Sequence, residues 1–436
     1  MLRFPEFLKK NTWEENILNE YLELLTDFEA NGSFADVKEN VTIYDKPNFA
    51  WYVRATDLEN NSSLAKVKYV GKHSYEFLRK TSLFGGELLI SKRGEIGKVF
   101  FFMTKENTPA TVAPNLYLLK MNEKAIPKFF YYFFISSNGN QSLRRLNASS
   151  TIGALYKDDV KNIVLYVPSP KEQQKIASCL SSLDELITAQ SQKLEALKAH
   201  KKGLMQQLFP GEGETVPKLR FAEFRNSGEW EEISLIDVAD KNVKWSFTGG
   251  PFGSNLKASD YVTNGIRVIQ LQNIGDGEFS DNYKIFTSKH KADELLSCNI
   301  YPGDIILSKM GDPVGRACLI PNTNDRYVMC SDGIRLVVNE TQYSKYFIFV
   351  LINSTQFRPL VEKNATGSTR KRIGLDNLKS LPMIVPTNLC EQQKIASCLS
   401  SLDELIKAQT EKTEALKVHK KGLMQQLFPN TNDISK

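Results

Sequence analysis

The chain has 436 residues, 41% hydrophobic and 24% charged, a composition that suits two or more ordinary globular domains and excludes disordered or collagen-like classes. Its formal net charge of +6 is compatible with nucleic acid without requiring it. No run approaches about 18 apolar residues, so no transmembrane helix is expected.

The opening MLRFPEFLKKNTWEEN lacks an apolar stretch of signal-peptide length, and a cytoplasmic location is expected. Residues 1–168 then read as mixed α/β. Short β-rich runs stand at AWYVRA (50–55), ELLISK (87–92) and NLYLLK (115–120), and an apolar helix is expected at IPKFFYYFFISS (126–137). Gly, Asn and Asp turn signals bound them. Residues 211–386 have the same make-up, with IRVIQL (266–271), DIILSK (304–309), IRLVVN (334–339) and then SKYFIFVLINS (344–354).

After each region comes a long helical segment, 169–210 and 387–436 with its tail. EQQKIASCLSSLDELITAQSQKLEALKAHKKGLMQQLFP (172–210) returns at 391–429, an offset of 219, with five differences. Weaker echoes cover the rest. LRFPEF before Trp13-Glu14-Glu15 matches LRFAEF before Trp230-Glu231-Glu232, and GELLISKRGEIGK (86–98) matches GDIILSKMGDPVGR (303–316). The whole chain is therefore a duplication whose helices stayed alike while its domains diverged.

Ser169, Pro170 and Glu172 predict a capped helix start with a capping box, Asn388 and Glu391 predict the same in the second copy, and Pro210 and Pro429 predict the ends. The apolar positions Ile176, Leu180, Leu183, Ile187, Leu194, Leu197, Leu204 and Leu208 alternate steps of four and three, the a/d seam of a coiled coil. Polar Gln190, Lys201, Gln409, Thr413 and Lys420 interrupt the seam and are expected to fix register. Two such helices, with a domain between them, most simply pair antiparallel. The expected fold is α/β: two mixed α/β domains separated by two long antiparallel coiled-coil helices, as a pseudo-twofold internal repeat.

Catalytic motifs are missing. There is no G-x-x-x-x-G-K-[ST], no H-E-x-x-H and no [DN]-P-P-[YF], and His73, His200, His290 and His419 assemble no Ser/His/Asp set. The six cysteines form no C-x-x-C pair, so neither a metal site nor disulfides are expected. The loops offer phosphate-type contacts instead. These are Ser254, Asn255 and Lys257 in GGPFGSNLKASDY (249–261), and Ser368, Thr369, Arg370, Lys371 and Arg372 in GSTRKR (367–372). The first half offers Thr151 in SSTIGA (149–154), with Arg144 and Arg145 just before it. Lys92, Arg93 and Lys309 sit at matched turns. Each could also be a solvated loop.

The E-Q-Q-K-I-A run after V-P, the heptad helix closing on K-K-G-L-M-Q-Q-L-F-P, their return after a divergent domain, and the R-F-x-E-F…W-E-E openings resemble the specificity subunit of type I restriction–modification systems. The likeness covers nearly the whole chain. It implies two target-recognition domains, each reading one half of a bipartite, asymmetric site on double-stranded DNA, with no catalytic residue in this chain. It also implies two adenine-N6 methyltransferase subunits and restriction subunits as partners. S-adenosylmethionine, ATP and Mg would belong to those partners and none to this chain. A helix over 171–208 spans roughly 57 Å, enough to set half-sites about a helical turn apart. Leu204, Met205 and Phe209, with Leu423, Met424 and Phe428, are expected either to dock the methyltransferase or to pack in the coiled coil. A free-standing two-headed DNA-binding regulator and a coiled-coil scaffold without nucleic acid are the alternative readings.

Overall fold

The computed structural model describes residues 2–8, 13–93, 95–148, 155–368 and 370–428. The chain divides into two compact units, Met1–Ser191 with Glu411–Lys436, and Gln192–Thr410. The linear boundaries at 168/169, 210/211 and 386/387 mark elements, whereas packing gives each unit one domain and part of each long helix.

In the first unit, strands β1 (Leu22–Asp27), β2 (Leu88–Ser91), β3 (Val99–Phe101) and β4 (Leu116–Met121) form an antiparallel sheet in the order β1-β4-β2-β3. A second, five-stranded sheet has Ala50–Val53 parallel to Ala110–Val112 at its heart. A third pairing joins Glu14–Ile17 to Val164–Val167.

The second unit repeats this topology. Strands β5 (Phe247–Gly249), β6 (Ile305–Ser308), β7 (Ala317–Leu319) and β8 (Gly333–Leu336) lie in the order β5-β8-β6-β7. Its five-stranded sheet has Ile266–Ile269 parallel to Tyr327–Met329, and Glu231–Ser234 pairs with Pro382–Val385. All six β-rich runs expected from sequence are strands.

Side-chain alternation explains their unbroken apolar character. Leu88 and Ile90 face one core, while Leu89 faces another. Ile305 and Leu307 likewise part from Ile306. Both faces of these strands are covered, so both alternating sets must be apolar. The two expected short helices, α1 (Pro127–Ile135) and its counterpart in the second unit (Lys345–Ile352), are apolar nearly all round because they are buried. A further helix, α2 (Ser137–Ala148), follows α1 directly.

The long helices are α3 (Pro170–Leu208) and α4 (Leu389–Leu427), each of 39 residues. Asn388 caps α4 by accepting from Cys390 N at 2.8 Å. The capping boxes do not form as expected, because Glu172 and Glu391 reach elsewhere. Arg3 grips Glu172 with two bonds of 2.9 and 2.7 Å, and Trp13 Nε1 donates to the same carboxylate at 3.4 Å. Arg220 and Trp230 repeat this on Glu391, at 2.7, 2.8 and 3.2 Å. Both carboxylates are buried, so the fork pins the start of each domain to the start of its helix.

The heptad seam is real. In the first unit Ile176 and Leu180 share a core with Met424, Leu427 and Phe428. In the second, Ile395 and Leu399 share one with Leu208 and Phe209. Low numbers lie against high in both, so the pairing is antiparallel. The seam lysines find acids on the opposite helix. Lys420 Nζ is 2.5 Å from Asp184 Oδ1, and Lys201 Nζ is 2.5 Å from Asp403 Oδ1. Tyr132 donates to Asp184 at 2.7 Å, and Tyr346 donates to Asp403.

Candidate nucleic-acid interface

Sheet register decides which loops meet. In the second unit Ser308 pairs with Gly333, Leu307 with Ala317 and Gly249 with Ile334. The glycine-rich loop after β5, the β6–β7 turn and the turn before β8 therefore leave the sheet at one end. Gly250 N donates to Gly333 O at 2.8 Å, and Lys309 N donates to Asp332 O at 2.6 Å. A side chain at Gly250 would start 1.7 Å from Cys330 O, so only glycine lets the loop close on its neighbour.

The GSTRKR run joins the same end. Thr366 and Arg372 exchange two backbone bonds of 2.8 Å, closing a tight loop. Gly311 N donates to Lys371 O at 3.1 Å, and Ile373 N donates to Lys309 O at 3.0 Å. Lys309, Lys371 and Arg372, named separately from sequence, thus belong to one cluster. Ser368, Arg370, Lys371 and Arg372 are exposed. Their acidic contacts are long, Arg372 to Asp332 at 3.4 Å and Lys371 to Glu362 at 3.5 Å. Exposed pairs of this kind are weak and give way readily to a phosphate. Ser254, Asn255 and Lys257 are exposed on the glycine-rich loop, whose far side is tied down by Lys257 N donating to Asp260 at 2.7 Å.

In the first unit, pairing of Ser91 with Leu116 and of Asp27 with Tyr117 puts the 92–98 turn at the corresponding sheet end. Arg93 is exposed there. Lys92 is not the surface cation that its matched turn suggested. It is 6% exposed, with Nζ 2.7 Å from Asp27 and 3.1 Å from Glu29. Burial raises the Asp27 carboxyl, but hydrogen bonds from Lys157 and Lys92 outweigh it and hold the group below its ordinary range. Arg144 and Arg145 are exposed on α2, while Leu143 between them and the turn is buried beside Gly97. Thr151, with the SSTIGA run, and Thr369 lie outside the described residues.

The GLMQQLF ends also need correcting. Phe209, Met424 and Phe428 are buried, and Leu204, Met205 and Leu423 pack against the same cores. Phe428 lies 5.4 Å from Phe129 and 6.1 Å from Phe133, and Phe209 lies 5.5 Å from Phe347. These ends complete the domains rather than presenting a free apolar surface. The Arg–Trp–Glu forks went unread in the sequence, although the duplicated openings and the duplicated Glu172/Glu391 were their signal.

No helix among the described residues is long and apolar enough to cross a membrane. The family model described as the type I restriction modification DNA specificity domain matches twice, over residues 13–199 and 227–418. The chain belongs to that family. Each match spans one domain and most of the long helix after it, so the duplication is of the family's own unit. Among the specificity family's members, the chain is 25% identical over 434 residues to a putative type I restriction enzyme MjaX specificity subunit of Methanocaldococcus jannaschii, covering 95% of this chain and 92% of that one. It is 24% identical over 318 residues to the MjaVIII specificity subunit of the same organism, covering 71% and 72%. Its fold resembles a type I restriction-modification S subunit from M. genitalium, with a TM-score of 0.59 at 16% identity, covering 97% of this chain and 98% of that chain. The chain is accordingly a type I specificity subunit, a component of a restriction–modification complex that works on DNA.

Proposed function

We propose that each domain reads one half of a bipartite, asymmetric site on double-stranded DNA through the loops at the end of its four-stranded sheet. The paired helices fix the length of the unread gap. One observation carries this reading: the same topology occurs twice, with loops leaving the equivalent sheet end, yet those loops carry different residues. Arg370, Lys371 and Arg372 have no cationic match in SSTIGA. Equivalent frames with unlike loops suit unlike half-sites. The cations named above hold phosphates and set register, and base edges supply the sequence.

The chain contributes no catalytic group in this reading. Two methyltransferase subunits modify an adenine in each half-site using S-adenosylmethionine, and restriction subunits add ATP- and Mg-dependent cleavage. The specificity subunit holds the duplex while a partner takes a base out of the stack. Expressing the chain with its methyltransferase and mapping methylated adenines tests this. A bipartite, asymmetric motif is expected, and a continuous motif, or none despite an active partner, overturns it. One heptad added to each long helix should lengthen the gap and leave both half-sites unchanged.

A further inference from the structure

In each unit the parallel strands of the five-stranded sheet end in the same way. Ala113 N donates to Val53 O and Cys330 N donates to Ile269 O, both at 2.9 Å. Two residues further on, Asn115 O accepts from Lys92 N at 2.9 Å, and Asp332 O accepts from Lys309 N at 2.6 Å. Val53 and Ile269 are thus equivalent, and so are the turns that follow them, Arg54–Asp57 and Gln270–Asn273.

Each turn is pinned from beneath by its last residue. The Asp57 carboxylate is buried and accepts from Arg54 N at 3.2 Å. The Asn273 carboxamide is buried and accepts from Gln270 N at 2.9 Å, while its own N–H groups donate to Ser280 O and Tyr283 O. The backbone carbonyls of Asp57 and Asn273 accept from Ser62 N and Ser280 N, each at 2.9 Å. The residue before the pin, Thr56 in one unit and Gln272 in the other, is exposed. The pin is kept in both copies, whereas Arg54-Ala55-Thr56 and Gln270-Leu271-Gln272 match at no position.

A cation from the neighbouring hairpin turn ties each of these turns to the candidate interface. Arg316 Nη2 donates to Leu271 O at 3.1 Å, and Arg316 Nε donates to Ile274 O. The hairpin turn that holds Arg316 also holds Lys309, and its Gly311 N donates to Lys371 O at 3.1 Å. Lys98 closes the matched run GELLISKRGEIGK as Arg316 closes GDIILSKMGDPVGR. Its Nζ lies 3.2 Å from Glu59, two residues past the pinning Asp57. That hairpin turn carries the exposed Arg93, and Gly97 within it packs beside Leu143, which precedes Arg144 and Arg145. Each exposed tip thus stands on a fixed backbone joined to the cationic end of its own domain.

We propose that Thr56 and Gln272 are equivalent base-reading positions, one per half-site, and that Gln272 reads an adenine. A carboxamide sets a donor beside an acceptor, the complement of adenine N7 and N6 in the major groove. The surrounding cations hold phosphates, which position the duplex but carry no sequence. A backbone already fixed before binding loses little freedom on contact, so the tip can discriminate one base edge from another. A constant frame beneath a changed tip suits two half-sites that differ. This rests on the bipartite-site reading above.

The test uses the full chain assembled with its methyltransferase subunits, as wild type, Gln272→Ala, Gln272→Glu, Thr56→Ala and Thr56→Gln. Methylation rates are measured on duplexes carrying the mapped site and on each single-base-pair substitution of it. Gln272→Ala should lower discrimination at one A·T pair of one half-site by about ten- to a hundred-fold and leave the other positions as they were. Gln272→Glu should move the preference there from adenine towards cytosine, whose N4 donates to a carboxylate. Thr56→Ala should alter preference in the other half-site only, and Thr56→Gln should bring an adenine preference into it. Unchanged discrimination in the Gln272 variants, or an equal loss on all duplexes as a phosphate contact or a folding defect gives, overturns the proposal. A first half-site indifferent to both Thr56 variants overturns the equivalence of the two tips. A wild-type complex that methylates a continuous motif would instead overturn the reading beneath it.

Discussion

Lys420 reaches across the helix pair to Asp184 at 2.5 Å, and the carboxylate it meets also takes the Tyr132 hydroxyl at 2.7 Å. The acid thus ties together α4, α3 and the buried helix α1 within one unit. Asp184→Ala leaves the Lys420 ammonium without its carboxylate and the buried Tyr132 phenol with only Ser181 Oγ, at 3.3 Å. The expected loss in the first unit is about 1–3 kcal/mol, read as an earlier urea transition. Asp403→Ala should do the same in the second unit through Lys201 and Tyr346.

The last turn of α4 belongs to the first unit's core. Phe428→Ala should cost about 3–5 kcal/mol and expose residues 13–168 to proteolysis while the second unit stays resistant. Phe209→Ala should reverse that pattern. Digestion followed by mass mapping distinguishes the two, and uniform loss of both units in either variant would contradict the division.

Asp27 sets a pH dependence with a definite sign. Its folded-state carboxyl titrates below the ordinary value of 3.8, because Lys157 and Lys92 together overcome its burial. Its stabilisation is therefore full above the unfolded value and is lost as pH falls through the lower, folded one. Below about pH 4 the wild type should lose stability more steeply than Asp27→Asn, which is already weaker at pH 7. Parallel curves for the two would reject the linkage.

The two kinds of cation should separate in a DNA-binding titration. Alanine at Arg370, Lys371 or Arg372 should weaken binding similarly for all sequences and lower the salt slope by about 0.9 per lost phosphate contact. Lys92→Met should leave that slope unchanged and reduce stability instead, since its ammonium is buried against Asp27.

The helices were legible because their information is local. A 3.5-residue period and a near-copy of the same segment need no tertiary context, and the antiparallel seam from Ile176 to Leu208 follows. The strands were legible too, since Leu88–Ile90 and Ile305–Leu307 are apolar throughout. What failed needed distant partners. Lys92 looks like a surface cation until Asp27, 65 positions earlier, is brought beside it. Glu172 reads as a capping-box acid because the same residue type serves both roles, and only Arg3, 169 positions away, decides. Phe428 looks free until Phe129 covers it. At the candidate interface, Lys309 and Arg372 were each visible alone, but their meeting depended on sheet register.

The ends of the long helices carry one more consequence. In each unit the opening residues of the domain bond to the last turn of one long helix, Leu219 N donating to Gln207 O at 2.9 Å and Leu2 N to Gln426 O at 3.0 Å, and fork onto the first turn of the other through Arg220 and Arg3. One short segment thus staples the tail of one helix to the head of its antiparallel neighbour, so a slip of the seam by a heptad would tear the domain's own beginning apart.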